Sequence, residues 1–336
     1  MSLIVNELTK CYGDKKVVDK LSFKMDNPGV YALLGTNGAG KTTTIRMMLD
    51  MIVKDGGEVL WNGKPLNPLE TPVGYLAEER GLYPKYSLMD QLIYFAKLKN
   101  VDGKEAVSRI KYWSDRLMLD EYLYPDRNSK AKKKKKPLTA EQLSKGNQQK
   151  IQLMAALISD PKLLIFDEPL SGLDPVNTDL FKSIIHEEIN KGKYLIMSSH
   201  QMATVEEFCE NITILNRGKD VLSGNLNDIK KSYGRVNLVV KCDEDFSDII
   251  NRRNINISER TPDGIWMKVK GEEEAAAILN DLIKEGKTIV RYELNEPSLH
   301  EIFVEKVGGA NEKNLYNRLE KDIFIYAFSD IEKQGL

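Results

Sequence analysis

Cysteine and long apolar runs are scarce in this chain, and a surplus of either charge is missing altogether. Each scarcity closes off a class of protein. The three cysteines, Cys11, Cys209 and Cys242, lie far apart without a CxxC pair. That argues against a disulfide or zinc framework, fits a reducing compartment and reads as packed or idle thiols. No apolar stretch approaches the ~20 residues that span a bilayer, and the start MSLIVNELTKCYG lacks a basic region followed by an apolar core. The expectation is a cytosolic chain that does not itself form a pore. Formal net charge is −1 with 29% charged residues, so no global basic field attracts nucleic acid and partners must be recognised by local surfaces. What is present is length: 336 residues, enough for a sizeable core and about two domains of roughly 150 residues each.

The most informative segment is GTNGAGKT, Gly35 to Thr42. Glycines at 35, 38 and 40 let the backbone fold tightly so that successive N–H groups point at anionic oxygens, and the dipole of a following helix adds favourable charge. In such a loop Lys41 reaches the β- and γ-phosphates and Thr42 offers Mg²⁺ a hydroxyl. The context is right as well, with an apolar strand over Gly29 to Leu34 before the loop and the helical TTTIRMMLDMI after it.

The chain order of elements reads as α/β. Ser2 to Lys10 and Val17 to Met25 alternate like strands around the turn Gly13–Asp14, which predicts an antiparallel hairpin. Tyr12 sits at its bend, where an aromatic face can stack on a purine ring or simply pack. Amphipathic helices are expected over Tyr86 to Leu98 and Ala106 to Leu119, then a basic low-complexity loop, NSKAKKKKKP. A helix over Gln142 to Ile158, carrying LSKGNQQK (Leu143 to Lys150), leads past Pro161 into KLLIFDE. That strand is apolar throughout, as in a parallel sheet covered on both faces. Pro175 to Asn190 reads as a helix, Tyr194 to Ser198 as another buried strand ending at His200, Thr204 to Cys209 as a helix and Thr213 to Leu215 as a short strand. This order places Thr42, Asp167 and His200 at the carboxyl ends of parallel strands, where open α/β sheets bind ligands. Asp167 there suits a carboxylate that holds Mg²⁺ directly or through water, while Glu168 can polarise an attacking water. His200 can hydrogen-bond the γ-phosphate or that water.

Taken together, GTNGAGKT, LSKGNQQK, LLIFDEP, SGLD and SSH, in that order, resemble the ATP-binding-cassette ATPases over roughly residues 1 to 225. The resemblance implies a P-loop ATPase domain with an antiparallel β subdomain and a helical subdomain, using ATP and Mg²⁺. By that likeness Tyr12 stacks on adenine, and Gly35, Thr36, Asn37, Gly38, Ala39, Gly40, Lys41, Thr42 and Thr43 form the nucleotide cradle. Thr42 and Asp167 hold Mg²⁺, Glu168 is the general base and His200 senses the γ-phosphate. Ser144 and Gly146 then bind the γ-phosphate held by the opposite subunit, so that ATP joins a homodimer or a pair with a paralogous ATPase and hydrolysis loosens it. The implied partners are separate transmembrane permease subunits, the implied location the inner face of the cell membrane, and the implied work solute export.

Two segments depart from the commonest pattern. In VGYLAEERGLYP, Glu78 stands where a glutamine usually contacts Mg²⁺ and the membrane subunit; such segments resemble a sodium-export and drug-resistance subgroup, and Glu78 is expected to be a variant contact. The run Lys132 to Lys136 reads as a solvated loop or as a contact with anionic headgroups, worth roughly 1 kcal/mol per lysine near a membrane. The ATPase domain is expected over 1–227, with Asp228 to Gly234 as a linker. Residues 235–307 then read βαββαβ, a ferredoxin-like accessory domain whose second helix packs through Ala276, Leu279, Leu282 and Ile283, and 308–336 form a tail with helical spacing. A soluble cassette ATPase acting on ribosomes or DNA stays open as an alternative, disfavoured by the single phosphate loop and near-neutral charge. A GTP switch is disfavoured because Asn190 to Lys193 reads NKGK without the expected aspartate, and a sensor without turnover because Glu168 is present.

Overall fold

The computed structural model describes residues 1–78, 81–124 and 137–308. The lysine run and the tail beyond Gly308 lie outside the described residues. In chain order the elements are β1 (Leu3–Tyr12), β2 (Lys15–Met25), β3 (Gly29–Leu34), α1 (Lys41–Met48), β4 (Gly56–Trp61), β5 (Lys64–Pro65), β6 (Val73–Leu76), α2 (Leu88–Leu98), α3 (Gly103–Arg116), α4 (Asp120–Leu123), α5 (Lys145–Leu157), β7 (Leu163–Asp167), α6 (Pro175–Asn190), β8 (Tyr194–Ser199), α7 (Met202–Phe208), β9 (Asn211–Asn216) and β10 (Lys219–Asn225). They continue with α8 (Leu226–Tyr233), β11 (Asn237–Cys242), α9 (Ser247–Arg253), β12 (Asn256–Thr261), β13 (Gly264–Lys268), α10 (Glu272–Lys284), β14 (Ile289–Asn295) and α11 (Leu299–Val307). The chain divides into two units, Met1–Gln201 with Glu207–Ser223, and Met202–Glu206 with the residues from Gly224 onward.

In the first unit a six-stranded sheet runs β10-β9-β3-β8-β7-β6, and a four-stranded sheet runs β2-β1-β4-β5. Strands β9, β3, β8, β7 and β6 pair in parallel. Every residue of β3, β7 and β8 is buried, which is why these segments are apolar on both alternating faces rather than one. The smaller sheet is antiparallel, with β1 between β2 and β4. Its apolar face shares one core with the large sheet: Phe23 stacks on Tyr31 at 4.6 Å between ring centroids, and Trp61 meets Tyr194 edge-on at 5.2 Å. Each fully buried Leu or Ile in that core contributes about 1.5–3 kcal/mol.

A helical region is inserted after β6. Ser87 and Asp102 cap α2 and α3 by accepting the N–H groups of Asp90 and Lys104. Buried Gln91 accepts the Tyr83 N–H at 3.0 Å and donates to the Tyr86 carbonyl at 3.1 Å, fixing the approach to α2. Arg116 ties α3 to α6 through Ser183 at 2.9 Å and through Glu187. The helix read as starting at Gln142 instead begins at Lys145, because Ser144 caps it and accepts the Asn147 N–H at 3.2 Å; Ala140–Gln142 form a separate 3₁₀ turn.

The second unit carries a four-stranded antiparallel sheet, β12-β13-β11-β14, built in the order βαββαβ. Leu238 and Val240 of β11 share a core with Ile249, Ile250, Ile278 and Leu282 from the two helices. Two details differ from the sequence reading. The segment expected as a linker from Asp228 to Gly234 is largely helix α8: Asn225 caps it through the N–H groups of Asn227 and Asp228, and Leu226 and Ile229 are buried. On α10 the buried stripe is Ala275, Ile278 and Leu282, whereas Ala276 and Ile283 face solvent. Three consecutive alanines leave the phase of the stripe open, and packing on the sheet decides it. Glu206, at the end of the short α7 segment that belongs to this unit, accepts the Leu299 N–H at 3.1 Å and pairs with Lys230. Among the described residues no helix is long and apolar enough to cross a membrane.

Candidate active site

Three neighbouring parallel strands end together. In β3 and β8 Leu34 pairs with Ser199, and in β7 and β8 Asp167 pairs with Ser198. The residues that follow, Gly35, Glu168 and His200, are therefore delivered side by side by register alone. The loop then turns tightly. A Cβ on Gly35 would lie 2.6 Å from the Leu215 carbonyl oxygen and 2.7 Å from the Ala39 Cβ, and one on Gly40, which sits at φ 112°, would lie 2.7 Å from the Val17 carbonyl oxygen. Only glycine fits either place. The Ala39 N–H donates back to the Thr36 carbonyl at 3.1 Å, and Asn37 and Gly38 face solvent at the loop's tip. Helix α1 starts at Lys41, so its first N–H groups border the loop; Thr42 and Thr43 are half-buried in that first turn. Such a cradle suits a phosphate chain.

Lys41, Glu168 and His200 form one chain of contacts. The Lys41 ammonium, buried, donates to the Gly35 carbonyl at 2.8 Å and lies 3.3 Å from Glu168 Oε1. Glu168 Oε2 meets His200 Nδ1 at 2.8 Å. The histidine ring is half-exposed, whereas Glu168 is 6% exposed. Glu168 adopts φ 49°, a left-handed conformation that costs a non-glycine residue energy and collects at functional sites. Asp167 Oδ1 accepts from the Ser198 hydroxyl at 2.5 Å, and the Glu168 N–H donates to the same Ser198 Oγ at 2.8 Å. Neither Asp167 Oδ2 nor Glu168 Oε1 has a hydrogen-bond partner although both are buried. Leaving a buried acceptor such as Asp167 Oδ2 unpaired costs about 1–3 kcal/mol, whereas Glu168 Oε1 still faces the Lys41 ammonium. Burial, together with the Asp167 charge, also pushes the nearby Tyr75 phenol above its ordinary value.

These features fit a magnesium ion and a nucleotide. Mg²⁺ takes oxygen ligands, typically one or two carboxylates, with phosphate and water completing the shell. The buried, unpartnered oxygen of Asp167 has the chemistry of such a ligand, and Thr42, half-buried in the first turn of α1, carries a hydroxyl of matching chemistry. Among the described residues no cluster of three or more His, Cys, Asp or Glu side chains could hold a metal by itself.

The remaining expected residues lie around this centre. Tyr12 is 54% exposed at the end of β1, paired with Lys15, with the Lys10 ammonium 5.3 Å from its ring centroid. Val17, on the second strand of the same hairpin, is the residue whose carbonyl packs against Gly40. Glu78 is exposed just past β6, the edge strand beside β7, and takes no part in the Lys41, Glu168 and His200 contacts. Ser144, exposed, and Gly146 stand at the start of α5, also outside those contacts; a Cβ on Gly146 would lie 3.2 Å from the Asn177 amide nitrogen. Gln149 donates to the Pro169 carbonyl at 2.8 Å, linking α5 to the turn after Glu168. Ser198 was not singled out from the sequence. In the sequence it is one of two adjacent serines that end the strand YLIMSS, just before His200, and nothing there tells it from Ser199.

Comparison with known proteins gives a consistent picture. The family model described as ABC transporter matches residues 18–171, and the one described as ATP-binding protein DrrA1-3-like, C-terminal domain, matches residues 224–307. The chain is similar to the uncharacterized ABC transporter ATP-binding protein YhaQ of Bacillus subtilis, 42% identical over 92% of this chain and 100% of that protein. It is also similar to the Nod factor export ATP-binding protein I of Rhizobium etli, 28% identical over 67% of this chain and 68% of that one. A solved structure described as the ATP binding subunit of an ABC transporter superposes with a TM-score of 0.61 at 27% identity, covering 69% of this chain and 93% of the other.

Proposed function

Because this chain belongs to the ATP-binding-cassette transporter ATPases, we propose that it hydrolyses ATP at the Gly35 to Thr43 loop, paired with a second ATPase subunit, to drive export through separate membrane permeases. The observation that carries the reading is the meeting of Lys41, Glu168 and His200 at three adjoining strand ends, beside a buried Asp167 oxygen without a partner. In this reading the loop amides and Lys41 hold the phosphates, Thr42 and Asp167 hold Mg²⁺, and Tyr12 stacks on adenine. Bound Mg²⁺ neutralises charge on the phosphate oxygens. Glu168, fixed on one side by His200, accepts a proton from the attacking water, and His200 hydrogen-bonds the γ-phosphate. Glu78 is a variant contact near the metal.

Ser144 and Gly146 stand outside the Lys41, Glu168 and His200 contacts of their own chain, with the Ser144 hydroxyl capping α5. At the start of a helix, with N–H groups free for an anion, they suit the γ-phosphate of a nucleotide held by the second subunit, identical or paralogous. Export is supported by the likeness to the Nod factor export ATP-binding protein, and the working place is the inner face of the membrane, beneath the permeases. No nucleic acid takes part.

Replacing Glu168 by Gln tests this. The variant should keep ATP, slow turnover by ~10²-fold or more and accumulate as an ATP-bound dimer in light scattering. Adding Ser144→Arg should return it to monomers that still bind ATP. Unchanged turnover removes Glu168 from its role, and a Ser144→Arg protein that still pairs contradicts the shared site.

A further inference from the structure

We infer that Ser198 is a positioning residue that aims the Asp167 carboxylate at the metal and holds Glu168 in its left-handed conformation. The inference rests on the reading of Asp167 as the Mg²⁺ anchor.

Ser198 is fully buried and, in the register of β7 and β8, lies opposite Asp167. A hydroxyl has one proton and two lone pairs, and here both capacities are committed. The proton goes to Asp167 Oδ1 at 2.5 Å, and a lone pair receives the Glu168 N–H at 2.8 Å. The first bond fixes the carboxylate plane and consumes one oxygen, so that Oδ2 alone stays buried and unpaired. The second satisfies the backbone N–H of a residue at φ 49°, the conformation from which the Glu168 side chain reaches both Lys41 and His200. One side chain thus orients the metal-binding carboxylate and the base together. Outer-shell hydrogen bonds of this kind alter metal affinity by about 10–100-fold when removed.

The test reads metal binding directly. Mn²⁺ affinity is measured by electron paramagnetic resonance on the full chain with a non-hydrolysable ATP analogue, and analogue binding without metal is measured in parallel. Ser198→Ala should weaken Mn²⁺ about tenfold or more while metal-free analogue binding holds. Ser199→Ala supplies the control, since the Ser199 hydroxyl, at the end of the same strand, accepts the Gln201 N–H at 2.9 Å instead of meeting a carboxylate, and it should leave Mn²⁺ affinity unchanged. Ser198→Thr, which keeps the hydroxyl, should restore it. Should the alanine variant fail to fold, Ser198→Cys, with a weaker donor of similar shape, must show the same directional loss. Unaltered Mn²⁺ affinity in a folded Ala or Cys variant, or an equal loss in Ser199→Ala, overturns the proposal. Asp167→Asn separates the two levels. If it too leaves Mn²⁺ affinity unaltered, the anchor reading fails; if it weakens Mn²⁺ and Ser198→Ala does not, only the role of Ser198 fails.

Discussion

Glu168, just past β7, and Glu301, in the first turn of α11, are both partly or wholly buried glutamates, yet their oxygens are used differently. Glu301 Oε1 accepts from the Lys268 ammonium, and its Oε2 accepts from the Asn237 side-chain amide at 2.8 Å and from the Ser298 N–H at 2.8 Å, closing the capping box of α11. Glu168 keeps Oε1 without a hydrogen bond beside Lys41, and its neighbour Asp167 keeps Oδ2 free as well. The same contrast holds between the units: among the described residues, every buried side-chain atom that lacks a hydrogen-bond partner lies in the first unit. A satisfied network stabilises the fold in which it sits, whereas buried unsatisfied acceptors cost free energy until something binds them. Catalytic equipment is therefore expected at the end of the six-stranded sheet, and a structural role for the charges of the four-stranded one.

Substitutions can break that contrast. The largest effect on stability is expected from Leu282→Ala in the core of the second unit, where removing a fully buried leucine costs about 2–5 kcal/mol. Urea unfolding should show that loss while ATP affinity of the folded protein stays the same; a matching loss of ATP affinity would give the second core a part in nucleotide binding. Lys41→Ala should weaken ATP on the order of 10²-fold by calorimetry, as expected for losing charge-assisted bonds to phosphate. Wild-type affinity in that variant would remove the loop lysine from the site.

The smallest effect belongs to Glu301. Burial alone would raise its carboxyl, but the bonds from Lys268, Ser298 and Asn237 outweigh that and hold it below the ordinary 4.5. A depressed carboxyl contributes stability above its unfolded value and loses it as pH falls through the folded one. Thermal unfolding should therefore favour wild type over Glu301→Gln near neutrality, with the gap closing below about pH 4.5. A gap that persists in acid would mean that the side chain acts through packing instead of charge.

Much of the catalytic end was legible because its chemistry is local in sequence. The loop needs its glycines within eight residues, and Asp167 and Glu168 adjoin on a strand that is apolar to its last residue. The βαββαβ order was legible for a related reason, since each of its elements carries its own alternation or helical spacing. What escaped depends on partners distant in the chain. Ser198 acquires its role only from the register of β8 against β7, and β6 is four residues long, too short to show a period. The segment after Asn225 reads as polar linker, but capping by Asn225 and burial of Leu226 and Ile229 make it helix. Ala276 and Ile283 were placed on the wrong side of α10 because alanine runs carry no phase.

One feature of the chain path bears on how the protein can be dissected. Five residues, Met202–Glu206, are loaned to the second unit from the midst of the first, starting two positions beyond His200. A protein shortened at Ser223 would retain that excursion but forfeit Lys230 and the Leu299 amide, the groups that Glu206 holds. Trimming the residues after Ser223 is thus a perturbation beside the histidine as well as a deletion, and a fall in turnover after such trimming would not by itself reveal a regulatory domain.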